Sequence, residues 1–309
     1  MGSSNLPLIH IGFYKTASSW LQKFLFEPQY GYQHVIDAFS LHPLLITPEQ
    51  ETFDPSLVRR ELDDKLAAIV ADGRIPVISS EALSGDLLRG GHNRWQNADR
   101  LRQVFDQARI LLVVREQRQL LRSMYKTMVF FGFPYSLNRL LREGPDGFDV
   151  EFICFHSLAE YYTGLFGPDA VLVLPYEFFK HQPHDFIKRV FAHRGPERIP
   201  DSSLQRLPLN RVVNPGESLS YIQLQRWINR LTLTRHRNYA GLLGNNGFEH
   251  VLRRIAWHKR HARETSLDAR LERRFATRVD EHTQGRFADS NRRLQTFCPV
   301  EFASFAYEM

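Results

Sequence analysis

One lysine and three hydroxyl side chains fall within five residues of this chain, at Lys15, Thr16, Ser18 and Ser19. An ammonium with hydroxyl donors so close together suits an anion that carries several acceptor oxygens, above all a phosphate. The flanking residues say how such a group is presented. Leu6 to Ile11 is largely apolar and reads as a short buried strand, and the run from Ser18 onward reads as a helix. A strand that passes through a loop into a helix adds backbone N–H groups and the positive end of the helix dipole to the same spot. The plain alternative is a hydroxyl-rich cap on a helix that follows a strand.

The spacing narrows the ligand. A nucleoside-triphosphatase P-loop needs G-x-x-x-x-G-K-[ST], and here Gly12 is followed by two residues and then Lys15-Thr16, with no second glycine. The run Gly12 to Trp20 instead resembles the 5'-phosphosulfate loop of sulfotransferases that use 3'-phosphoadenosine 5'-phosphosulfate (PAPS), worded G-x-x-K-[ST]-G-[ST]-[ST]. Ala17 stands where that family usually has glycine. Alanine tolerates a positive φ poorly, so the backbone there is either ordinary or reshaped. About a hundred residues on, the apolar run ending at Val114 meets Arg115 and then a helical pattern through Leu120, Leu121, Met124 and Met128. The family's 3'-phosphate motif places an arginine at a strand end and a serine eight residues later, and Arg115 and Ser123 match that spacing. Gln117 replaces the proline often found there. Read alone, Arg115 is equally a surface arginine at a helix start. The segment Ala170 to Lys180, with Pro-Tyr-Glu, and the segment Phe287 to Leu294 are similar to two further stretches of bacterial sulfotransferases, which extends the likeness over most of the chain.

The resemblance implies sulfuryl transfer from PAPS to a hydroxyl or amino acceptor, with 3'-phosphoadenosine 5'-phosphate (PAP) as product and no metal. It implies that Tyr14, Lys15, Thr16, Ala17, Ser18, Ser19 and Trp20 line the 5'-phosphate and that Arg115 and Ser123 hold the 3'-phosphate. Lys15 is then the residue that neutralises charge on the departing phosphate. Glu81 follows a predicted strand in Ile-Ser-Ser-Glu and is the first candidate for the base. Its other reading is a helix cap or an ion pair. His34, Asp37 and His42 are the remaining candidates.

These residues need elements to position them. Strands are expected at Leu8 to Ile11, His34 to Ile36, Pro76 to Ser79, Ile110 to Val114 and Val171 to Leu174. Helices are expected at Ser18 to Phe26, Ser56 to Ala71, Asn97 to Gln107, Gln117 to Phe131, Phe152 to Phe166 and His184 to Ala192. Such alternation predicts a three-layer α/β fold, a parallel sheet flanked by helices in a P-loop-like sulfotransferase architecture, with binding at the C-terminal strand edge. The whole of 1–309 reads as one domain, an α/β nucleotide-binding core over roughly 1–200 and a mostly helical extension over 210–309. A turn is expected around Asn214-Pro215-Gly216, and 232–246 reads as a loop or lid.

Composition excludes several classes. With 43% hydrophobic residues the chain can bury a large core. No apolar run approaches the roughly 20 residues of a membrane span, no basic start leads into a long apolar segment, and Leu6 spoils a myristoylation pattern, so a cytoplasmic protein is expected. Two cysteines, Cys154 and Cys298, do not suggest a disulfide framework. The net charge of +6 is uneven, with sixteen basic against seven acidic residues from Arg226 to Arg293. Most of these arginines read as the solvated side of helices, with Leu267, Leu271, Phe275 and Val279 facing inward. Histidines around 181–184 and 258–261 lack a zinc set, and there is neither a G-x-S-x-G elbow nor a G-x-G-x-x-G turn. Two other readings stay open: a small-molecule kinase using a nucleoside triphosphate, and a non-catalytic binder of anionic glycan or nucleic acid. Nucleic acid is not expected as a partner of the principal reading, and neither the acceptor nor the oligomeric state is legible.

Overall fold

Five strands, β1 Leu8–Gly12, β2 Tyr32–His34, β3 Ile75–Ser79, β4 Arg109–Val114 and β5 Val171–Pro175, form one sheet in the order β2-β3-β1-β4-β5. Every pairing is parallel, and β1 at the centre aligns Leu8 with Val77 on one side and with Arg109 on the other. The coordinates are a computed structural model that describes residues 5–87, 90–142, 148–195, 204–213, 216–231 and 266–309. The stretch 232–246, Asn214 and Pro215 of the expected turn, and His258 and His261 lie outside them.

The strands are near-continuous apolar runs because helices cover the sheet, and β1 and β3 are buried at every position. The helix Pro55–Ala71 packs on β3, Phe155–Phe166 on β4 and β5, and Pro183–Arg194 on β4. The sheet is therefore the α/β core that the alternation predicts. Because successive strands run to opposite sides of β1, the crevice at the C-terminal ends of β1 and β4 is the switch point where such sheets take ligands.

The chain's contacts gather into two compact units. The first comprises Met1–Glu116, Glu151–Val213 and Phe287–Met309 and holds the whole sheet. The second comprises Gln117–Val150 and Asn214–Arg286, and its described part is helical, with main elements Gln117–Phe130, Leu219–Leu231 and Ser266–Thr283. Within it Asn229 Nδ2 donates to the carbonyls of Val129 at 2.7 Å and Phe133 at 3.3 Å, closing the end of the helix Gln117–Phe130. An ion pair joins Lys126 to Glu272.

Two elements differ from the sequence expectation. The helix expected over Ser18 to Phe26 is a single α-turn, Ser18–Trp20, that widens into a π-turn at Leu21–Leu25. The helix Ser266–Thr283 buries Asp268, Phe275, Val279 and Thr283, while Leu267 is 56% exposed. Steps of four residues drift about 40° each around a 3.6-residue helix, so two steps before Phe275 the stripe has left the buried face. Asp268 occupies that face because its carboxylate accepts the Ser220 N–H at 2.9 Å.

Candidate functional site

The segment after β1 leaves the sheet through an unusual backbone. Lys15 and Ala17 both have a φ of 65°, two of the three non-glycine positive values among the described residues. Alanine in this left-handed region costs about 1–2 kcal/mol relative to ordinary backbone, so the loop holds the shape glycine would give it against local strain. The Ala17 carbonyl accepts from Trp20 N at 2.9 Å and Leu21 N at 3.0 Å, which starts the helical turn. Thr16 is fully buried and its hydroxyl donates to the Phe13 carbonyl at 2.5 Å, so it ties the loop from below. Phe13 is seated against Phe152 and Phe155, with centroids 5.6 and 4.6 Å away. Trp20 anchors the far end: its ring lies 4.8 Å from that of Phe179, and its indole N–H donates to the Pro208 carbonyl at 3.3 Å.

Ser18 approaches the strand end so closely that a Cβ on Gly12 would lie 2.1 Å from its Oγ. Glycine is required there for space. The Ser18 Oγ lies 3.5 Å from Thr16 Oγ1, and Glu81 follows β3 nearby at the start of the turn Glu81–Ser84. Burial raises the Glu81 carboxyl above its ordinary value, opposed by the Ser18 hydroxyl and the charge of Lys15. Tyr14 lies by the same carboxylate: burial, then the charges of Asp86 and Glu81, push its phenol up to about 12, against a hydrogen bond to the Leu87 backbone. The structure thus brings Tyr14, Lys15, Ser18 and Glu81 together. A carboxylate pushed toward protonation beside a lysine and a hydroxyl can accept a proton more readily than an exposed one.

Arg115 leaves β4 next to this loop. Its Nη1 donates to the Lys15 carbonyl at 3.1 Å and its guanidinium lies 5.0 Å from the centre of the Tyr176 ring. Its Nε is buried and has no hydrogen-bond partner. Glu177 accepts from Glu116 N at 3.2 Å and from the Tyr307 hydroxyl at 3.1 Å. Burial raises the Glu177 carboxyl, and the charge of Arg115 pulls the other way. The Tyr-Glu pair after β5 begins the helix Tyr176–His181 and braces the arginine.

The other candidates sit elsewhere. His34 ends β2, and its Nε2 lies 3.2 Å from the Gln22 carbonyl. It lines a cleft of about 310 Å³ with Asp37, Ser40, Glu61 and Lys65. Asp37 caps the helix Ala38–Leu41, accepting from Phe39 N, Ser40 N and the Ser40 hydroxyl, and those bonds lower its pKa. His42 is exposed and Ser19 is half-buried. Ser123 belongs to the second unit, half-buried on Gln117–Phe130, where its carbonyl accepts from Thr127 Oγ1 at 3.1 Å. Sequence reasoning passed over His10, Gln22 and Tyr307, and met Glu177 only within the Pro-Tyr-Glu segment. The one visible signal was His10, a polar residue in the middle of an otherwise apolar strand.

Among the described residues no group of three or more His, Cys, Asp or Glu is placed to hold a metal, and no helix is long and apolar enough to cross a membrane. Cys154 and Cys298 are both buried, and neither is in a disulfide.

No known family profile and no curated protein matches the chain. Solved structures do. A sulfotransferase from Alicyclobacillus acidocaldarius is 17% identical over 66% of this chain and 87% of its own, with a TM-score of 0.45. A mouse sulfotransferase complexed with PAP is 12% identical over 90% of this chain and 85% of its own, with a TM-score of 0.34.

Proposed function

We propose that this chain is a PAPS-dependent sulfotransferase that transfers a sulfuryl group to a hydroxyl or amino group of an acceptor. The observation that carries the reading is the positive-φ loop after β1, whose backbone Arg115 grips at the Lys15 carbonyl and beside which Glu81 lies. The residues fit a bisphosphorylated nucleotide. Positive-φ turns at Lys15 and Ala17 shape a concave backbone of the kind that receives anions, and the buried Arg115 Nε is a charged donor without a protein acceptor.

PAPS supplies an activated sulfuryl group and a phosphate leaving group, and as in phosphoryl transfer the protein mainly positions groups and stabilises charge. Lys15 neutralises the negative charge that develops at the leaving oxygen. Ser18 and Ser19 donate hydrogen bonds to the 5'-phosphate, while Thr16 holds the loop in shape. Tyr14 and Trp20 flank these donors. Arg115 binds the 3'-phosphate. Glu81 takes the proton from the acceptor, for which its half-buried carboxylate, raised above its ordinary value, is suited. His34 is the reserve for that step.

Thermal denaturation with and without PAP tests the reading, because a ligand that binds only the native state raises apparent stability. At a hundred times its dissociation constant PAP is expected to add about 2.7 kcal/mol. No shift with PAP, together with a clear one for ATP and magnesium, would replace the sulfotransferase by a kinase.

A further inference from the structure

The turn that carries Glu81 is pinned by buried side chains that the proposed chemistry leaves unused. Glu81–Ser84 is a single tight turn after β3. Around it the Ser80 hydroxyl accepts from Ala82 N at 3.3 Å, and the Ser84 hydroxyl donates to the Glu81 carbonyl at 2.8 Å. Ser80, Leu83 and Ser84 are buried, while Glu81 itself is half-buried.

One attachment reaches the turn from a distant element. Asn97, fully buried on the helix Arg94–Val104, donates through Nδ2 to the Ala82 carbonyl at 3.0 Å and lies 3.5 Å from the Leu83 carbonyl. Four residues earlier and on the same side of that helix, Asn93 Oδ1 accepts from Asp86 N at 2.9 Å, so the chain is also held where it leaves the turn. The Asn97 amide does this at a cost. Its Oδ1 is buried and has no hydrogen-bond partner. A buried acceptor left unpaired destabilises the fold, and an apolar side chain of similar size would carry no such oxygen. The Ala82 carbonyl also accepts from Gly85 N at 3.1 Å, so it would not be stranded without the amide. What Asn97 adds is placement: it ties the turn to an eleven-residue helix, whereas the two hydroxyl bonds are local to the turn.

We propose that Asn97 is a positioning residue for Glu81, its amide fixing the turn so that the carboxylate stays beside the Lys15 loop, in the half-buried place from which it takes a proton. A base works only within hydrogen-bond reach of the proton it removes, and a side chain on an untethered turn spends much of its time out of reach. The same tether sets the surroundings of the carboxylate. Burial is what raises its pKa, and a turn that swings outward returns it to water. No proton passes through Asn97. This rests on the reading of Glu81 as the base.

The test follows Glu81 directly and needs no acceptor. In the full chain with labelled glutamate carboxyls, the Glu81 signal is the one lost in Glu81→Gln, and its titration is read by NMR in wild type, Asn97→Leu and Asn97→Ser. Leucine removes the amide and keeps much of its volume. Serine is the milder change, and it decides the matter if the leucine protein does not melt cooperatively. Wild-type Glu81 should titrate above 4.5. Asn97→Leu should lose most of that rise and Asn97→Ser part of it, with PAP affinity by calorimetry unchanged, because Thr16 and Arg115 hold the Lys15 loop independently. A raised titration that survives in the folded variants overturns the proposal and leaves Glu81 as the base. A fall in PAP affinity that accompanies the lost rise overturns it too, since the damage is then general. A wild-type Glu81 that titrates at 4.5 removes the reading of Glu81 as a tuned base, and the proposal with it. A wild-type protein that ignores PAP but loses the Glu81 rise in Asn97→Leu overturns the reading of the loop and leaves the hold of Asn97 on Glu81 standing.

Discussion

The Lys15 loop and the Arg115 corner of the first unit are built from different materials. The Lys15 loop is held by hydroxyls, a strained backbone and a line of buried polar side chains, and its hydroxyl hydrogens can be redirected. The Arg115 corner is held by the Tyr176 ring, by Glu177 and by Tyr307. An end where bonds break needs donors that change partners as charge moves, whereas an end that only grips an anion needs one fixed charge in one place. On the proposed function, the difference suits the loop to chemistry and the arginine to anchoring.

The largest expected effect breaks the chemical corner alone. Lys15→Ala should lower transfer about a thousandfold or more, comparable to losing a principal charge-stabilising donor, with a melting temperature near wild type. Glu81→Gln should reduce turnover about a hundredfold. It should also melt at or above the wild-type temperature at neutral pH. Folding raises the Glu81 pKa, so its contribution is fully present below 4.5 and is lost as pH rises through the raised value; the amide removes that loss. The base must be ionised, so the acid limb of kcat/KM should lie above the usual carboxylate range and disappear in this variant. A limb at the ordinary value would point to another base.

Smaller changes sharpen the contrast. Tyr307→Phe removes one hydrogen bond from Glu177 and should cost about 1 kcal/mol of stability and a few-fold in PAP affinity, with single-turnover transfer from bound PAPS unchanged. Ala17→Gly relieves the left-handed strain, partly offset by the freedom glycine adds to the unfolded chain, and should gain about 0.5–1 kcal/mol by denaturant titration. A loss of stability there would mean that the Ala17 methyl packs usefully.

How much of this was legible in the sequence follows from which forces set each feature. The strands stood out because buried parallel strands are apolar runs, and all five were found within a few residues. The loop and Arg115 were legible as residue types at fixed spacing. The inward turn of the Thr16 hydroxyl was not, because the Phe13 carbonyl that takes it is a backbone group present at every position. Glu177 and Tyr307 lie 130 residues apart, and no local pattern announces such a pair. The π-turn at Leu21–Leu25 escaped for a related reason, since an apolar run written as an α-helix looks the same when it winds wider. Leu267 misled because spacing by fours approximates the helical period only over short stretches.

The division between a reacting corner and an anchoring corner is tested most directly by titration calorimetry of PAP and of adenosine 5'-phosphate, which lacks the 3'-phosphate, against wild type and Arg115→Ala. Wild type should prefer PAP by about a hundredfold, the worth of a charge-assisted contact of 1.5–3 kcal/mol, and Arg115→Ala should bind the two nucleotides alike. Equal affinities in the wild type, or a preference that survives the loss of Arg115, would contradict the account.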